Sequence, residues 1–578
     1  MQIYIHQTHH QIANFSEIFS YLKELSTSEN FQGNIHLFPE LFLCGYPLQD
    51  LCFQRDFIQG YHEFFEELKV WWQGLDRTEN TSLLLGGLDY TFDDLGNPKY
   101  IENSIFELSS QAEMRKLYSK RLLPNYDIFD EAKYFKPGQE AALYQFNGKT
   151  FGLLICEDMW ASDHYDVDPV SDLLKLCSGK EINGVFNLSA SPFHIGKESS
   201  RIARVKQIYE SFNVPYYYAN RVGSEDEIVF DGGSFIFSEG TVSKKALSFK
   251  QDIISAEVQA AKVVDGSRPP VKLDHSWESL FTPRLEVKEE HLRIKELSDQ
   301  ECEEILHALN LGIQDYARKC GMKNFLVALS GGMDSALVIA MLGLFKQPDQ
   351  TIEAVYMPGQ FSATLSWEIS QKICKNLNIK LTSLPIKFLH STVRNQFRDT
   401  FTEMEGLADE NIQSRLRGAL IYARSNQTGA MVLNTSNKSE LSVGYSTLYG
   451  DSVGAISPLG DLFKTEVFTL AKYINKKFGD IIPIEVIERP PSAELRENQE
   501  DSHSLPPYEI LDTILEGHLS YSYSQQDLID ASLPAADVTK VYRLCKISEY
   551  KRFQFCPIIK LKAKSFGFGR RMPITKYI

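Results

Sequence analysis

The chain has 578 residues and a mass of 65.9 kDa, more than one hydrophobic core usually organises, so its length predicts several domains. Its 43% hydrophobic and 24% charged residues are typical of an ordinary globular protein and exclude a disordered or fibrous class. The formal net charge of -16 argues against a general nucleic-acid or membrane-surface binder, because such binding needs clustered Lys and Arg.

Short apolar segments in the first half, each closed by a polar residue or glycine, predict mostly buried strands at 34–38, 82–87, 151–155, 184–188 and 215–219. Amphipathic stretches between them predict helices at 57–72 and 201–212. Strands that alternate with helices predict a layered α/β domain over residues 1–262. Residues 263–290 lack sustained periodicity and are rich in Pro and charged residues, which predicts a linker.

The second domain is predicted over residues 291–578. It begins with a helix near 301–319, and a strand at 324–329 then leads through a glycine turn into a helix at 334–345. Further strands are predicted at 351–357, 380–386 and 430–433. With helices between them, they indicate a parallel, doubly wound sheet.

Two stretches of the second half lead to more specific expectations. The helix predicted at 409–426 places five apolar residues on one face: Ile412, Leu416, Ala419, Leu420 and Ala423. The stretch 487–511, rich in Pro, Glu and polar residues, predicts a mobile loop.

The cysteines and the N-terminal residues indicate the cellular compartment in which the protein is expected. The nine cysteines are an odd number, without a Cys-x-x-Cys pair or Cys/His ligand spacing, which argues against a disulfide framework and a zinc site. The N-terminal residues lack a signal or transit pattern, and no window approaches the roughly 18 consecutive apolar residues of a membrane span. We therefore expect a cytoplasmic protein that binds neither membrane nor nucleic acid.

Three reactive residues stand at the ends of predicted strands or in loops of the first half. Glu40 follows His-Leu-Phe-Pro, Lys120 opens the run Lys-Arg-Leu-Leu-Pro-Asn-Tyr, and Cys156 follows Gly-Leu-Leu-Ile. Singly, they have plain structural explanations: a capping acid, a solvated lysine and a small buried apolar side chain. Their occurrence together, in this order and in these contexts, favours a functional site.

This arrangement resembles the Glu-Lys-Cys triad of the nitrilase, or carbon-nitrogen hydrolase, superfamily, whose glutamine-amidase branch the surrounding motifs also resemble: Phe-Pro-Glu-Leu, the run from Lys120 to Glu131, Ile-Cys-Glu-Asp-Met-Trp and Asn-Leu-Ser-Ala-Ser-Pro. The resemblance implies an α/β/β/α sandwich. Cys156 would attack a carboxamide, Glu40 would act as base and then as acid, and Lys120 would hold the oxyanion and keep Glu40 ionised. It also implies glutamine contacts at Tyr126, Ser191 and Lys197, and an auxiliary acid at Glu131.

A second constellation, Ser-Gly-Gly-Met-Asp-Ser at 330–335, follows an apolar strand and precedes a helix. Backbone N–H groups, two hydroxyls and the positive end of a helix then converge on one spot that suits phosphate oxygens. The string is neither a Walker loop nor Gly-x-Gly-x-x-Gly. It resembles the pyrophosphate-binding loop of the N-type ATP pyrophosphatases, which adenylate a carboxylate or carbonyl and release pyrophosphate.

Further motifs of the second half look together like those of NAD synthetases: Glu-Asn-Ile-Gln-Ser-Arg from Glu410, Asn-Thr-Ser-Asn-Lys-Ser-Glu from Asn434, Pro-Leu-Gly-Asp-Leu-Phe-Lys from Pro458 and Arg-Pro-Pro-Ser-Ala-Glu from Arg489. With the amidase half, nearly the whole chain resembles the glutamine-dependent NAD synthetase family. The resemblance implies ATP contacts at Ala328, Leu329, Ser330, Gly331, Gly332, Met333, Asp334, Ser335, Thr435, Lys464 and Ser492. It implies deamido-NAD contacts at Asn411, Glu440 and Lys551.

The same resemblance implies Mg²⁺ carboxylates at Asp334 and Glu440, with ATP as co-substrate and no tightly bound organic cofactor. It also implies a tunnel for ammonia and a homo-oligomer, an octamer or smaller. One departure is His503, which stands where the family commonly has an acid. The alternatives are an amidase fused to another adenylating synthetase, and a nucleotide-binding regulatory protein that has lost its activity.

The charge is unevenly placed along the chain. The acidic excess lies in residues 1–290, whereas residues 291–578 hold equal numbers of acidic and basic side chains. The last 28 residues carry eight basic and no acidic side chains, a pattern that a polyanion site could use. Within this segment we expect Lys551, and after it Arg552, to face the anionic substrate.

Overall fold

The computed structural model describes residues 1–76, 78–109, 114–162, 165–267, 287–497 and 499–576. The described residues form two compact units, one of residues 1–225 and 229–267 and the other of residues 226–228 and 287–576. Most of the predicted linker, residues 268–286, lies outside the described residues. At its two ends, the structure has a short strand at Lys262–Val263 and a 3-10 turn at Glu289–Leu292.

The first unit contains two six-stranded sheets, in the strand orders β15-β1-β2-β3-β4-β5 and β14-β13-β10-β9-β7-β6. Its strands are β1 Gln2–Gln7, β2 Ile35–Leu37, β3 Ser82–Phe92, β4 Pro98–Ser109, β5 Met114–Ser119, β6 Leu143–Phe146, β7 Lys149–Ile155, β8 Glu181–Ile182, β9 Gly184–Ser189, β10 Tyr216–Asn220, β11 Val222–Glu225, β12 Ile228–Asp231, β13 Phe235–Ser238, β14 Thr241–Lys245, β15 Asp252–Glu257 and β16 Lys262–Val263. Its helices are α1 Phe15–Thr27, α2 Arg55–Gln73, α3 Glu131–Tyr134, α4 Pro169–Cys177 and α5 Lys197–Phe212.

A shared core joins the two sheets face to face. One buried cluster takes Ile5, Leu37 and Leu84 from the first sheet and Phe151 and Phe186 from the second. Apolar side chains on the facing surfaces of two sheets bury each other, which explains why the sheets stack. The predicted α/β/β/α sandwich is confirmed.

The second unit is built on a four-stranded sheet of order β19-β18-β17-β20, in which every pairing is parallel. Its strands are β17 Asn324–Ala328, β18 Thr351–Tyr356, β19 Lys380–Ser383 and β20 Met431–Leu433. Its helices are α6 Asp299–Lys319, α7 Met333–Leu344, α8 Thr364–Asn376, α9 Lys387–Thr400, α10 Leu407–Thr428, α11 Lys438–Val443, α12 Lys464–Phe478, α13 Ile484–Glu488, α14 Tyr508–Leu519, α15 Gln525–Asp530, α16 Ala535–Ile547 and α17 Glu549–Phe553. The predicted parallel α/β architecture is confirmed.

The apolar face predicted for α10 is only partly buried, since Ile412, Leu416 and Leu420 are half-buried. The helix buries Gln413, Ser414, Gly418 and Ile421, while Ala419 and Ala423, two members of the predicted face, are exposed. A Cβ atom at Gly418 would lie 2.6 Å from the Tyr449 carbonyl oxygen, so this face approaches a neighbouring loop too closely for larger side chains. Close approach and hydrogen bonding, rather than apolar periodicity, set the orientation of this helix.

The predicted loop at 487–511 is too long at both ends. Helix α13 continues to Glu488 and α14 begins at Tyr508, directly after two prolines. Proline suits the start of a helix because its fixed φ is compatible and its missing N–H is not needed there.

Among the described residues, no helix combines the length and the apolar character that crossing a membrane requires.

Two candidate active sites

Cys156 lies at the carboxyl end of β7 in a left-handed backbone conformation, with φ of 43°. A side chain with a Cβ atom rarely adopts this conformation, so the surroundings must hold it there. The Cys156 N–H donates to Oδ1 of Asn187 at 2.7 Å, and Asn187 is fully buried within β9. A strained residue at a strand end is typical of a nucleophile that must project into a site.

Glu40 is buried and accepts three hydrogen bonds. They come from Lys120 Nζ at 2.7 Å, Asn103 Nδ2 at 2.7 Å and the Ala190 N–H at 2.8 Å. These donors stabilise a carboxylate and leave it little rotational freedom. The structure therefore holds the Glu40 carboxyl group in one orientation.

Lys120 lies between two buried carboxylates. Its Nζ also donates to Glu131 at 2.8 Å, and the Tyr46 hydroxyl donates to the same Glu131 at 2.9 Å. Burial alone lowers the pKa of Lys120, but the negative charges of Glu131 and Glu40 outweigh it and raise the pKa well above its usual value. Lys120 is therefore a permanent cation, suited to stabilise an anion and unsuited to act as a base.

Burial raises the pKa of the Cys156 thiol well above its usual value, and the nearby charge of Glu40 raises it further. A resting thiolate is disfavoured in this environment, because both effects oppose a negative charge on sulfur. A thiol in this environment would need a neighbouring base in order to react as a nucleophile. Burial also raises the pKa of Glu131 to about 7.

Two of the three predicted glutamine contacts, Tyr126 and Lys197, interact with a further acid, Glu157, which follows Cys156. The hydroxyls of Tyr126 and Tyr165 donate to Glu157 at 3.1 and 2.8 Å. Lys197 Nζ lies 4.5 Å from the centre of the Trp160 ring, and Ser191 Oγ accepts from Arg201 Nε at 3.2 Å. Burial and the neighbouring Arg201 lower the pKa of Lys197 to about 8, and burial raises the pKa of Glu157 to about 7.

Sequence reasoning missed several polar residues that shape this site. Arg201 is fully buried, forms two hydrogen bonds with Asp231 at 2.8 and 2.9 Å, and binds the carbonyl oxygen of Ser191. Asp158 accepts from the backbone N–H groups of Ile155 and Leu122 and fixes the turn around Cys156. The missed residues with these supporting contacts are Asn103, Glu157, Asp158, Asn187, Arg201 and Asp231.

The second unit contains a cavity of about 540 Å³ at the carboxyl end of its sheet. Of the predicted ATP residues, ten line it: Ala328, Leu329, Ser330, Gly332, Met333, Asp334, Ser335, Thr435, Lys464 and Ser492. The predicted deamido-NAD residues Asn411, Glu440 and Lys551 line the same cavity. Gly331 instead gives the loop a backbone conformation that only glycine adopts easily. Its φ is +81°, and a Cβ atom there would lie 2.4 Å from the Ser366 carbonyl oxygen.

Two carboxylates of this cavity share one lysine. Lys464 Nζ donates to Asp334, in a short hydrogen bond, and to Glu440 Oε1 at 3.4 Å. Burial raises the pKa of Glu440 to about 8, and the charge of Asp334 contributes. Burial alone lowers the pKa of Lys464, but the two carboxylates raise it well above its usual value.

Asp334 and Glu440, the predicted Mg²⁺ carboxylates, lie together in this cavity. Among the residues that the structure describes, no three His, Cys, Asp or Glu side chains form a group able to hold a metal ion. Mg²⁺ is commonly held by one or two carboxylates together with substrate phosphates, and it needs no all-protein cage. Asp334 and Glu440, beside a phosphate-type loop, fit that mode of binding.

The loop after α13 is held over the cavity by polar contacts. Arg489 donates to Glu494 at 2.8 Å and to Ser366 Oγ at 2.9 Å, and Ser492 Oγ donates to the Gln499 carbonyl oxygen at 2.5 Å. His503, the predicted departure from the family, belongs to a 3-10 turn at Asp501–His503 and is exposed. Of that turn, Asp501 lines the cavity.

The basic side chains of the C-terminal segment bind carbonyl oxygens and carboxylates of the second unit. Lys551 donates to the carbonyl oxygens of Gly444 and Ser446 at 2.7 and 2.6 Å and still lines the cavity. Arg552 binds the Ser442 carbonyl oxygen at 2.6 Å and Glu549 at 2.9 Å, away from the cavity lining. Lys560, Lys562, Arg570 and Lys576 likewise contact carbonyl oxygens or carboxylates. Of the predicted pair, Lys551 alone therefore reaches the cavity.

Comparison with known proteins gives the same two halves. Residues 5–167 match the carbon-nitrogen hydrolase family and residues 305–554 match the NAD synthase family. The glutamine-dependent NAD(+) synthetase of Aquifex aeolicus is 36% identical over 557 residues, which cover 94% of each chain. That of Thermotoga maritima is 32% identical over 565 residues, covering 96% of this chain and 94% of the relative. The structure of glutamine-dependent NAD+ synthetase from Acinetobacter baumannii in complex with ADP has 29% identity and a TM-score of 0.70, covering 99% of this chain and 98% of that one.

Proposed function

Because the chain belongs to the family of glutamine-dependent NAD(+) synthetases, we propose that Cys156 releases ammonia from glutamine and that the cavity at 330–335 uses it to convert deamido-NAD into NAD. The observation that carries the proposal is the presence, in one chain, of a buried Glu-Lys-Cys cluster and a nucleotide-type cavity. The test is to supply ATP, deamido-NAD, a divalent cation and glutamine, and to follow NAD and pyrophosphate.

At the first site, Cys156 Sγ attacks the carboxamide carbon of glutamine while Glu40 takes the thiol proton. The tetrahedral oxyanion forms beside Lys120, whose charge stabilises it. Glu40 returns the proton to the nitrogen, the C–N bond breaks, and ammonia leaves a thioester behind. Water, deprotonated by Glu40, then hydrolyses the thioester to glutamate and restores the thiol. Tyr126, Ser191 and Lys197 are the proposed glutamine contacts.

At the second site, the nicotinate carboxylate of deamido-NAD attacks the α-phosphorus of ATP, which forms an adenylate and releases pyrophosphate. The 330–335 loop and Thr435 contact ATP, Lys464 and Ser492 bind its phosphates, and Asn411, Glu440 and Lys551 contact deamido-NAD. Mg²⁺, held by Asp334 and Glu440, would offset phosphate charge when bound. Ammonia then attacks the acyl carbon, AMP leaves, and the amide of NAD remains.

Direct transfer of ammonia is part of the proposal. Free ammonia is mostly protonated near neutral pH and is then not a nucleophile, so a closed tunnel conserves its reactivity.

We also propose a cytoplasmic location, since all nine cysteines are free thiols. The proposed domain boundaries are residues 1–262 and 291–578.

The glutaminase reaction should depend on pH through Lys197. Because the pKa of Lys197 is lowered to about 8, its cation is present below that pH and is lost above it. We expect KM for glutamine to rise as the pH increases from 7 to 9.5. In the Lys197→Arg variant the rise should be smaller, because a guanidinium stays protonated throughout this range.

The matched control for this prediction is Lys206→Arg, an exposed position on the same helix. It should leave the wild-type pH profile unchanged, and it corrects for titration of glutamine itself. Identical profiles in wild type and Lys197→Arg would show that Lys197 does not bind the substrate carboxylate.

We further propose that the chain forms a homo-oligomer through the surface around α9. Phe388 on α9 is 81% exposed and Phe401, directly after α9, is 69% exposed, whereas His390 is the buried residue of α9. Large apolar side chains exposed to this extent suit an interface between copies of the chain. We expect light scattering to give a mass several times 65.9 kDa, and Phe388→Asp to lower it. A wild-type mass equal to one chain would contradict this proposal.

A further inference from the structure

Helix α14 carries a fully buried carboxylate, Asp512, to which the proposed reaction assigns no role. Its Oδ1 accepts from Ser439 Oγ at 2.5 Å. Its Oδ2 accepts from the Thr465 N–H at 3.0 Å and from Thr465 Oγ1 at 2.9 Å. Its hydrogen-bond partners Ser439 and Thr465 therefore lie on two other helices, α11 and α12.

Each partner is the chain neighbour of a residue in the shared ion pair of the cavity. Ser439 precedes Glu440 in α11, and Thr465 follows Lys464 at the first turn of α12. The Lys464 N–H also donates to Ser439 Oγ at 2.9 Å, which joins the two helices directly. Asp512 therefore holds together the backbone segments that carry Glu440 and Lys464.

The same helix also contacts the loop over the cavity. Tyr508, its first residue, donates to Asp501 Oδ2 at 2.9 Å, and the Lys464 Nζ lies 5.6 Å from the centre of the Tyr508 ring. Buried apolar residues of α14, including Leu511, Ile514 and Leu515, pack in one core cluster with Leu441 of α11 and Phe463 beside α12. The support for Asp512 is thus a rigid element and not a mobile loop.

A buried carboxylate is a costly way to fill space. Burial raises the pKa of Asp512 to about 6, even though three hydrogen bonds oppose the shift. A well-packed apolar side chain is often as stabilising as a buried charged group, so stability alone does not account for this residue. What an apolar side chain could not provide is acceptors that fix Ser439 and Thr465 in direction and distance.

We propose that Asp512 is a positioning residue that sets the separation of Glu440 and Lys464 and thereby shapes the place where the ATP phosphates react. It does not touch substrate and acts through Ser439 and Thr465. This inference rests on the proposed synthetase function. A small displacement of Lys464 would weaken stabilisation of the reacting phosphate while leaving the more distant parts of the deamido-NAD site intact.

The test uses the full chain with four variants: Asp512→Asn, Ser439→Ala, the double variant of these two, and Glu509→Gln. Asparagine keeps the shape of aspartate but offers one acceptor fewer, so the connection is weakened without a cavity. Glu509 is an exposed acid on the same helix and serves as the matched control. Steady-state kinetics with ammonium chloride, ATP and deamido-NAD are measured alongside glutaminase activity and thermal unfolding.

We expect Asp512→Asn and Ser439→Ala each to lower kcat for ammonia-driven NAD formation by about tenfold or more, with KM for deamido-NAD changed by less than about twofold. The double variant should lose less than the two single variants combined, because both changes break the same Ser439–Asp512 hydrogen bond. Glutaminase activity and Glu509→Gln should match wild type. If Asp512→Asn fails to fold, Ser439→Ala alone decides the matter.

Wild-type kcat in both single variants would overturn the inference, and so would fully additive losses in the double variant. A lower unfolding temperature with unchanged kcat would assign Asp512 a structural role only and would also overturn it. A wild-type chain that makes no NAD from any donor would instead overturn the proposed function, so the two failures are distinguishable.

Discussion

Replacement of Cys156 by alanine is expected to abolish NAD formation from glutamine and to leave NAD formation from ammonium chloride near the wild-type rate. The thiol is the proposed nucleophile, and alanine cannot form the thioester that releases ammonia. The second cavity is lined by residues 328–551 and contains no part of the first site. We expect a loss of at least about 1,000-fold with glutamine, as for the removal of other catalytic nucleophiles.

The matched control is Cys177→Ala, which changes a buried cysteine of α4 in the same unit. It should retain both activities, apart from a modest loss of stability from the smaller side chain. NAD, glutamate and pyrophosphate should be measured in parallel for each nitrogen donor. A Cys156→Ala chain that is inactive even with saturating ammonium would contradict the proposed division of labour between the two sites.

Replacement of Lys464 by methionine is expected to have the opposite selectivity. NAD formation should fall by roughly 100-fold to 1,000-fold with either nitrogen donor, while glutamine hydrolysis continues. Lys464 is buried between Asp334 and Glu440, and its removal leaves two carboxylates without their shared cation. Those carboxylates would then repel the phosphates of ATP, which the lysine otherwise attracts.

Lys472→Met provides the control for this substitution, because Lys472 is an exposed lysine on the same helix α12. Pyrophosphate release separates loss of adenylation from loss of the later attack by ammonia. Full pyrophosphate release by Lys464→Met, with NAD formation alone lost, would show that Lys464 acts after the adenylate forms and would contradict its proposed role.

The site residues that the sequence could predict all lie next to a recognisable strand, turn or loop. Glu40, Lys120 and Cys156 are reactive types placed at the ends of predicted strands or in loops, where side chains reach a site. The loop at 330–335 could be predicted equally well, because a strand, a glycine turn and a helix follow one another directly in the chain. Local order was therefore enough to indicate both candidate sites, whereas the resemblance to known families implied the α/β/β/α sandwich and the roles of individual residues.

The supporting residues depended on contacts that local order does not encode. Asn103 reaches Glu40 across 63 positions, and Asn187 reaches Cys156 across 31. Both are asparagines inside strands, and their partners follow from strand order and register. Asp512 likewise acts across 47 positions to Thr465. Such pairings are set by the folded sheets and helices, so a single sequence gives no signal for them.

The apolar spacing of α10 does not coincide with its most buried face, for a related reason. Its apolar residues follow helical spacing, yet the helix presents Gln413, Ser414 and Gly418 to the interior. Ser414 Oγ accepts from the Asp451 N–H at 2.9 Å, in the loop beside the cavity. A helix that borders a binding site buries polar and small residues toward it, so periodicity alone selects the wrong face.

The central claim is tested most directly by the products of the purified wild-type chain supplied with glutamine, ATP, deamido-NAD and Mg²⁺. The proposed reactions predict NAD, AMP and pyrophosphate in equal amounts, with glutamate formed in at least that amount. Glutamate without NAD or pyrophosphate, with ammonium chloride also giving no NAD, would contradict the claim.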